Sequence, residues 1–115
     1  MTERLNDRHC IRIEKGSTPL TAAAARTLLA QVHSDWSIAA GNDSIHREFR
    51  FRNFHETMAF VNALAWIAHR EDHHPDLEVG YNRCAVQYST HAAAGLTEND
   101  FICAAKIDAL LPQAD

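Results

Sequence analysis

The residues best suited to chemistry in this chain are histidines, and four of its eight fall in two short segments. The first segment, residues 69–76, reads His-Arg-Glu-Asp-His-His-Pro-Asp, and the second is Thr90-His91. Histidine changes charge near neutral pH without help from its surroundings. The two segments therefore point to either metal binding or proton transfer.

Metal binding would begin with His69 and His73, which are four residues apart and would share one face of a helix, as zinc ligands do. The metalloprotease pattern, however, needs a glutamate directly after the first histidine, and Arg70 stands there. The spacing demands no third ligand, and the candidates for that position are His74, Cys84 and His91. We therefore predict no metal site.

Proton transfer needs a donor and an acceptor around a small substrate. His73 and His74 are adjacent on a segment that Pro75 keeps extended, so their side chains point in different directions. His91, at the end of a neighbouring strand, could face one of them across a pocket. This arrangement suits elimination of water, because the leaving hydroxyl gains a proton while a nitrogen or carbon loses one. In a third interpretation, one or two histidines only cap the helix end, where positive charge is favoured.

The elements that must position these histidines follow from the apolar pattern. A first helix begins after Thr18 or Thr21, either of which could cap it, and ends near His33. Residues 36–40 and 45–52 predict two strands of a hairpin, the second of which alternates between apolar and polar side chains. The side chains of its outer face, His46, Glu48, Arg50 and Arg52, are expected to line the solvated surface of the sheet.

A long second helix opens at Asn53 or Phe54 and stops before Pro75, because the residue before a proline avoids helical backbone. The remaining elements are strands at 77–81 and 84–88, and a last helix that begins with a capping box at 97–100 and is ended by Pro112. This order of helix, two strands, helix, two strands, helix predicts an α+β two-layer sandwich with a four-stranded antiparallel sheet covered by helices.

The composition is that of one globular domain, with 115 residues of which 46% are hydrophobic and 23% charged. A net charge of −4 argues against a nucleic-acid binder that works through phosphate contacts. No apolar run is long enough to span a membrane. We expect residues 1–17 to be a poorly defined extension, either extended, disordered or a short edge strand, and residues 18–115 to form the domain.

The three cysteines, Cys10, Cys84 and Cys103, are widely separated and odd in number. A disulfide framework is therefore not predicted, and a reducing cytoplasm is the expected location. Cys84 and Cys103 are expected to be small core residues.

The chain resembles the pterin-4a-carbinolamine dehydratase family, known in animals also as a dimerisation cofactor of a homeodomain transcription factor. The resemblance covers roughly residues 20–111, and each of its motifs is weak alone whereas the spaced set is specific. The matching features are Trp36, Arg47-x-Phe49-x-Phe51-x-Asn53-Phe54, His73-His74-Pro75-Asp76, Tyr81, Ser89-Thr90-His91, Gly95-Leu96-Thr97 and Asp100.

The resemblance implies a four-stranded antiparallel sheet with three helices on one face, assembled into homodimers or homotetramers. It implies loss of water from 4a-hydroxytetrahydropterin to give quinonoid dihydropterin, a step that recycles the cofactor of aromatic amino-acid hydroxylases. Neither a metal nor an organic cofactor is implied. The alternative is a non-catalytic scaffold, or a protein-assembly or transcription cofactor, on the same fold.

The resemblance also assigns residues to roles. The implied catalytic histidines are His73, His74 and His91. The implied substrate contacts are Asp72, His73, His74, Ser89, Thr90, His91 and Ala92. His69 stands where the family commonly has glutamate, so Glu71 or Asp72 would have to supply any carboxylate. Asp100 is expected to cap the last helix, and Tyr81 to pack at the pocket rim.

Overall fold

The computed structural model describes residues 4–112 and shows a four-stranded antiparallel sheet with three α-helices. The predicted α+β architecture is confirmed. The elements in chain order are α1 (Ala22–Leu29), β1 (Ser37–Ile38), β2 (Ile45–Arg50), α2 (Phe54–Glu71), β3 (Asp76–Val79), β4 (Arg83–Tyr88) and α3 (Glu98–Asp108). Short 3₁₀ turns at Leu5–Asp7 and His91–Ala93 precede α1 and α3.

The sheet has the strand order β1-β2-β4-β3, and every neighbouring pair is antiparallel. In the central pair, Ile45 lies opposite Tyr88 and Phe49 opposite Cys84. These four side chains are at most 2% exposed and form one face of the core with Val86. The alternation read from the sequence therefore holds for β2 and β4, whereas all four residues of β3 are exposed.

The helices begin at the capping residues that the sequence offered. Thr21, rather than Thr18, caps α1, because its hydroxyl accepts from the Ala24 N–H at 3.1 Å. Asn53 caps α2 in the same way, and its side-chain oxygen accepts from the Glu56 N–H at 2.9 Å. A capping box at Thr97 starts α3, as predicted.

Several helices and strands are shorter than predicted. The prediction that α1 ends near His33 was wrong, because the helix ends at Leu29. The next residues tighten into turns, and the His33 N–H donates to a carboxylate oxygen of Asp108 at 3.1 Å. The strand predicted at 36–40 has only two residues, and that at 77–81 is shorter and begins one residue earlier. The last helix ends at Asp108, before Pro112.

The N-terminal segment, residues 4–17, packs on the domain. Leu5 is 3% exposed and belongs to the core, and the Gly16 N–H donates to the carbonyl of Ala92 at 2.8 Å. None of residues 4–17 lies in a strand, so the alternative of an edge strand is wrong for this part. The boundary at residue 18 stays a prediction. Residues 1–3 and 113–115, which the predicted extension and domain include, lie outside the described residues.

Within residues 4–112, no helix combines the length and the apolar character needed to cross a bilayer.

Candidate functional site

The first histidine segment begins where α2 ends. Asp72 adopts the left-handed conformation with φ 50° and terminates the helix. The N–H of His73 then closes back onto the carbonyl of Ala68 at 3.2 Å. This reversal turns the His73 side chain inward, where the residue is 9% exposed, and leaves His74 exposed. The predicted position of these histidines at the helix end and in the following turn is what the structure has.

His73 is held by a buried carboxylate and an aromatic ring. Its Nε2 lies 2.6 Å from Oδ1 of Asp100, a residue with no exposed surface. Because a carboxylate only accepts, Nε2 carries the hydrogen and donates it. The imidazole also stacks on Tyr88, with ring centroids 5.7 Å apart and planes 7° from parallel. The imidazole is therefore fixed in orientation, and Nδ1 is the nitrogen left for another partner.

The second oxygen of Asp100 receives two further hydrogen bonds. Oδ2 accepts from the hydroxyl of Thr90 at 2.8 Å and from the N–H of Thr97 at 2.9 Å. The hydroxyl of Thr97 in turn lies 2.8 Å from that of Thr90, and it donates because the Thr90 hydrogen is directed at Asp100. A buried charge is tolerated where several donors satisfy it, and this carboxylate has three.

Asp100 thereby connects the two histidine segments. His73 comes from the first segment and Thr90 from the second, and both donate to the same carboxylate. His74 and His91 each directly follow one of these two donors, and both are exposed. The structure thus brings the predicted segments to one place, with one buried imidazole and two exposed ones.

The sequence predicted only the capping role of Asp100. The hydrogen bond between Asp100 and His73 joins residues 27 positions apart, so no local sequence pattern predicts it. The available signal was the residue type, since this position of a capping box usually holds glutamate or glutamine.

The second segment is a tight loop closed on itself. Thr90 and Gly95 form an isolated bridge, with the Thr90 N–H 2.8 Å from the Gly95 carbonyl. A Cβ at Gly95 would lie 2.8 Å from that of Pro19, so this close approach needs glycine. The side chain and the N–H of Thr90 are thus used within the protein. The other residues of this segment that the resemblance implies as substrate contacts, Ser89, His91 and Ala92, are half-buried or exposed.

The other polar residues of the first segment point elsewhere. His69 is exposed on α2 and packs against Trp66, with ring centroids 5.7 Å apart. The Glu71 carboxylate is 5% exposed and turns toward the N-terminal segment, where it accepts from the Cys10 N–H at 2.7 Å and pairs with His9. Asp72 is exposed beside His73.

Burial alone would raise the pKa of Glu71, but the hydrogen bonds from Cys10 and His9 and the charge of Lys106 outweigh it and lower the pKa. Of the two carboxylates expected to replace the family's glutamate, Asp72 is therefore the one not committed to the N-terminal segment.

Tyr81 lies beyond the end of β3 and is 66% exposed. Its ring stacks on that of Phe54, with centroids 6.4 Å apart. Its contact is therefore with the first residue of α2, at the opposite end of that helix from His73.

Among residues 4–112, no three histidine, cysteine, aspartate or glutamate side chains are grouped to hold a metal ion. Two concavities, of about 1030 and 210 Å³, lie beside the N-terminal segment and α3. Neither is lined by His73, His74 or His91. We therefore take as the candidate site the region in which the two histidine segments meet at Asp100.

Comparison with known proteins adds an independent observation. Residues 18–110 match the family model described as Pterin 4 alpha carbinolamine dehydratase. A protein of Nitrosomonas eutropha, named "Putative pterin-4-alpha-carbinolamine dehydratase", is 55% identical over 107 residues, which are 93% of each chain. A Legionella pneumophila protein of the same name is 55% identical over 111 residues, covering 96% of this chain and 98% of that one.

Two solved structures share the fold. One is described as a transcriptional coactivator/pterin dehydratase from Brucella melitensis, with a TM-score of 0.77 and 32% identity over 81% of this chain and 98% of that one. The other is a pterin dehydratase-like protein identified as a RuBisCO assembly factor in the alpha-carboxysome. Its TM-score is 0.59 and its identity 24%, over 68% of this chain and 90% of that one, so it supports the fold alone.

Proposed function

The chain belongs to the pterin 4 alpha carbinolamine dehydratase family, and from this premise we propose that it is a hydro-lyase acting on 4a-hydroxytetrahydropterin. The product is the quinonoid dihydropterin, and the catalysis is general acid–base catalysis by histidine. The observation that carries the proposal is the buried Asp100 carboxylate, which accepts from His73 of one histidine segment and Thr90 of the other.

In the proposed reaction, His74 and His91 flank the pterin ring. One imidazole takes the proton from N5, and the electron pair of that N–H bond forms the C4a=N5 double bond. The C4a–O bond breaks, and the second imidazole gives a proton to the leaving hydroxyl, which departs as water. Histidine suits both roles because it gains and loses a proton near neutral pH.

His73 has a different role in this mechanism. Its Nε2 is engaged by Asp100 and its ring is stacked on Tyr88. A fixed imidazole of this kind orients the leaving hydroxyl through Nδ1 and holds the segment that carries His74. Preorganisation of this kind lowers the entropic cost of reaching the reactive geometry.

The proposed substrate contacts come from both segments. Asp72 and His74 lie on one side, and Ser89, His91 and Ala92 lie on the other. The 3₁₀ turn starts at His91, so the first N–H groups of that turn have no acceptor within it and could bind the amide edge of the pterin. Thr90 contributes through Asp100, because its hydroxyl donates to that carboxylate.

The wider setting rests on the resemblance and, for the location, on the number and spacing of the cysteines. A homodimer or homotetramer, a cytoplasmic location, a link to an aromatic amino-acid hydroxylase and the absence of a metal or organic cofactor remain predictions.

The proposal is tested by following the absorbance of 4a-hydroxytetrahydropterin breakdown in a stopped-flow instrument, with and without the protein. His74→Ala and His91→Ala should each lower the rate constant by about 10²-fold or more, the usual effect of losing an acid–base group. His55→Ala is the matched control, because His55 is an exposed histidine in the first turn of α2. Circular dichroism establishes that all three variants are folded.

Wild-type rates in both His74→Ala and His91→Ala would disprove the proposed mechanism. A wild-type protein that leaves the spontaneous rate unchanged, and that purifies with a stoichiometric protein partner, would favour the scaffold alternative.

A further inference from the structure

Two of the three cysteines, distant in sequence, meet in the fold. The Sγ atoms of Cys10 and Cys103 lie 3.5 Å apart, although 93 positions separate the residues. Cys10 belongs to the N-terminal segment and is half-buried, whereas Cys103 lies in α3 and has no exposed surface. The third cysteine, Cys84, is buried in β4.

The backbone on either side of Cys10 is anchored, so the approach of the two sulfurs is built into the fold. The Cys10 N–H donates to the Glu71 carboxylate at 2.7 Å. The amide of Asn99 pairs with the backbone of Ile11 in both directions, at 3.1 Å from the Ile11 N–H and 2.7 Å to the Ile11 carbonyl. Asn99 and Cys103 are four residues apart in α3, so they share a face of that helix. The same face therefore holds the segment and presents the second thiol.

We propose that Cys10 and Cys103 form a reversible disulfide when the protein meets a peroxide such as hydrogen peroxide. A disulfide bond is about 2.05 Å long, so the sulfurs need to approach by about 1.5 Å, a distance that small side-chain rotations can supply. The pair lies outside the proposed dehydratase chemistry and does not depend on it.

The difference in exposure sets the order of the steps. The half-buried Cys10 sulfur attacks one peroxide oxygen, the O–O bond breaks, and a sulfenic acid and water result. The Cys103 sulfur then attacks the Cys10 sulfur, the S–O bond breaks, and the oxygen leaves as water with the Cys103 proton. In sum, two thiols and one hydrogen peroxide give one disulfide and two waters.

The environment of Cys103 suits the second position in this sequence. The adjacent Cys10 sulfur and burial both raise the pKa of the Cys103 thiol well above its usual range. Cys103 is therefore not the thiol that attacks the peroxide; it attacks the Cys10 sulfur held against it, and its proton passes to the leaving oxygen in that step. The disulfide would fasten residues 4–17 to α3, the helix that carries Asp100.

The experiment treats the reduced full-length protein with hydrogen peroxide, unfolds it and counts the thiols that iodoacetamide labels. We expect three labelled thiols before oxidation and one, Cys84, after it, with an intact mass lower by about 2 Da from the loss of two hydrogens. Peptide mapping should show Cys10 joined to Cys103, and dithiothreitol should restore all three thiols. The cross-link should also raise Tm by about 10 °C, because it closes a long loop.

Cys84→Ser is the matched control and should form the same disulfide. Cys10→Ser should abolish both the loss of mass and the gain in Tm. Because Cys10 is half-buried, this variant is expected to fold even if Cys103→Ser does not. The proposal is overturned if Cys10 gains oxygen while Cys103 remains open to labelling, or if the only disulfide formed joins two chains on a non-reducing gel.

Discussion

Helix α3 carries two aspartates that face the protein interior: Asp100 in its first turn is buried, and Asp108, its last residue, has a side chain that is 13% exposed. Each accepts three hydrogen bonds. The donors to Asp100 are the side chains of His73 and Thr90 and the N–H of Thr97. The donors to Asp108 are the guanidinium of Arg47 at 2.7 Å, the indole of Trp36 at 2.8 Å and the N–H of His33 at 3.1 Å.

The two carboxylates differ in what their partners can do. The guanidinium of Arg47 is permanently charged, and neither the indole nor the backbone amide that also donates to Asp108 is an acid–base group. The Asp108 cluster fastens the β1–β2 hairpin to the end of α3. Asp100 instead holds the imidazole of His73 and, through Thr90, the segment that carries His91. Burial and hydrogen bonding alone therefore do not identify a site, whereas exchangeable protons beside an exposed surface do.

The same comparison explains why the larger concavity does not mark the candidate site. The concavity of about 1030 Å³ lies against Arg47 and Asp108. Arg47 is 10% exposed, and its guanidinium lies 4.2 Å above the Phe49 ring. The groups around this hollow stabilise the packing of the hairpin, and none of the histidines of the two segments lines it.

The largest expected effect separates the two aspartates by stability. Asp108→Ala should lower the free energy of unfolding by about 3–5 kcal/mol, because it removes the carboxylate 2.7 Å from the Arg47 guanidinium, which is 10% exposed, and leaves it only the exposed Asp35 at 4.0 Å. The rate constant per folded molecule should stay at the wild-type value. Urea denaturation and stopped-flow assays on the folded fraction measure both quantities. If the Asp108→Ala protein is destabilised and its rate constant per folded molecule also falls, the two aspartate clusters do not have separate roles.

A smaller loss of stability, but a loss of activity, is expected at the other aspartate. Asp100→Asn should lower the free energy of unfolding by about 1–3 kcal/mol. The reason is that the amide NH₂ group would face hydrogen-bond donors, which the carboxylate oxygens accept from in the native protein. Activity should fall about tenfold or more, since His73 is no longer held in place. The ratio of the two rate constants, Asp100→Asn to Asp108→Ala, is the sharpest form of the test. A ratio near one would mean that the Asp100 network only stabilises the fold.

The smallest expected effect on stability concerns the carboxylate of Glu71, whose side chain is 5% exposed, and this effect depends on pH. Its pKa is lowered in the folded protein, so its contribution to stability is present above its ordinary value of 4.5 and is lost as the pH falls through the lowered value. Glu71→Gln should lower the free energy of unfolding by about 1–2 kcal/mol at pH 7, which is the usual contribution of hydrogen bonds to a charged group. Urea denaturation at pH 7 and pH 3 should show this difference shrink at the lower pH. A difference that is equal at both pH values would contradict the role given to the Glu71 charge.

Much of the framework could be predicted because it depends on local chemistry. Thr21, Asn53 and Thr97 cap helices through atoms only three residues away. The strands alternate because successive side chains point to opposite faces. Element ends were less predictable, since the short β1 and the early end of α1 are set by contacts with Asp108 and with β2.

Arg47 shows what the alternating pattern left unexplained. It lies in a strand whose other charged residues, Glu48 and Arg50, are exposed, yet it faces the core side with Phe49. A charged side chain at an inward position is stable only when an oppositely charged partner offsets its burial. For Arg47 that partner is Asp108, which is 61 residues away. No window along the sequence contains both.

By itself, the sequence determined the order of the elements, the caps and the two segments in which the histidines lie, because these follow from short-range sterics and hydrogen bonding. Only the tertiary structure decided that Asp100 joins those segments, that Asp108 serves the hairpin and that Cys10 meets Cys103. These contacts form when α3 packs against the sheet and the N-terminal segment, and that packing is set by the burial of apolar side chains from the whole chain.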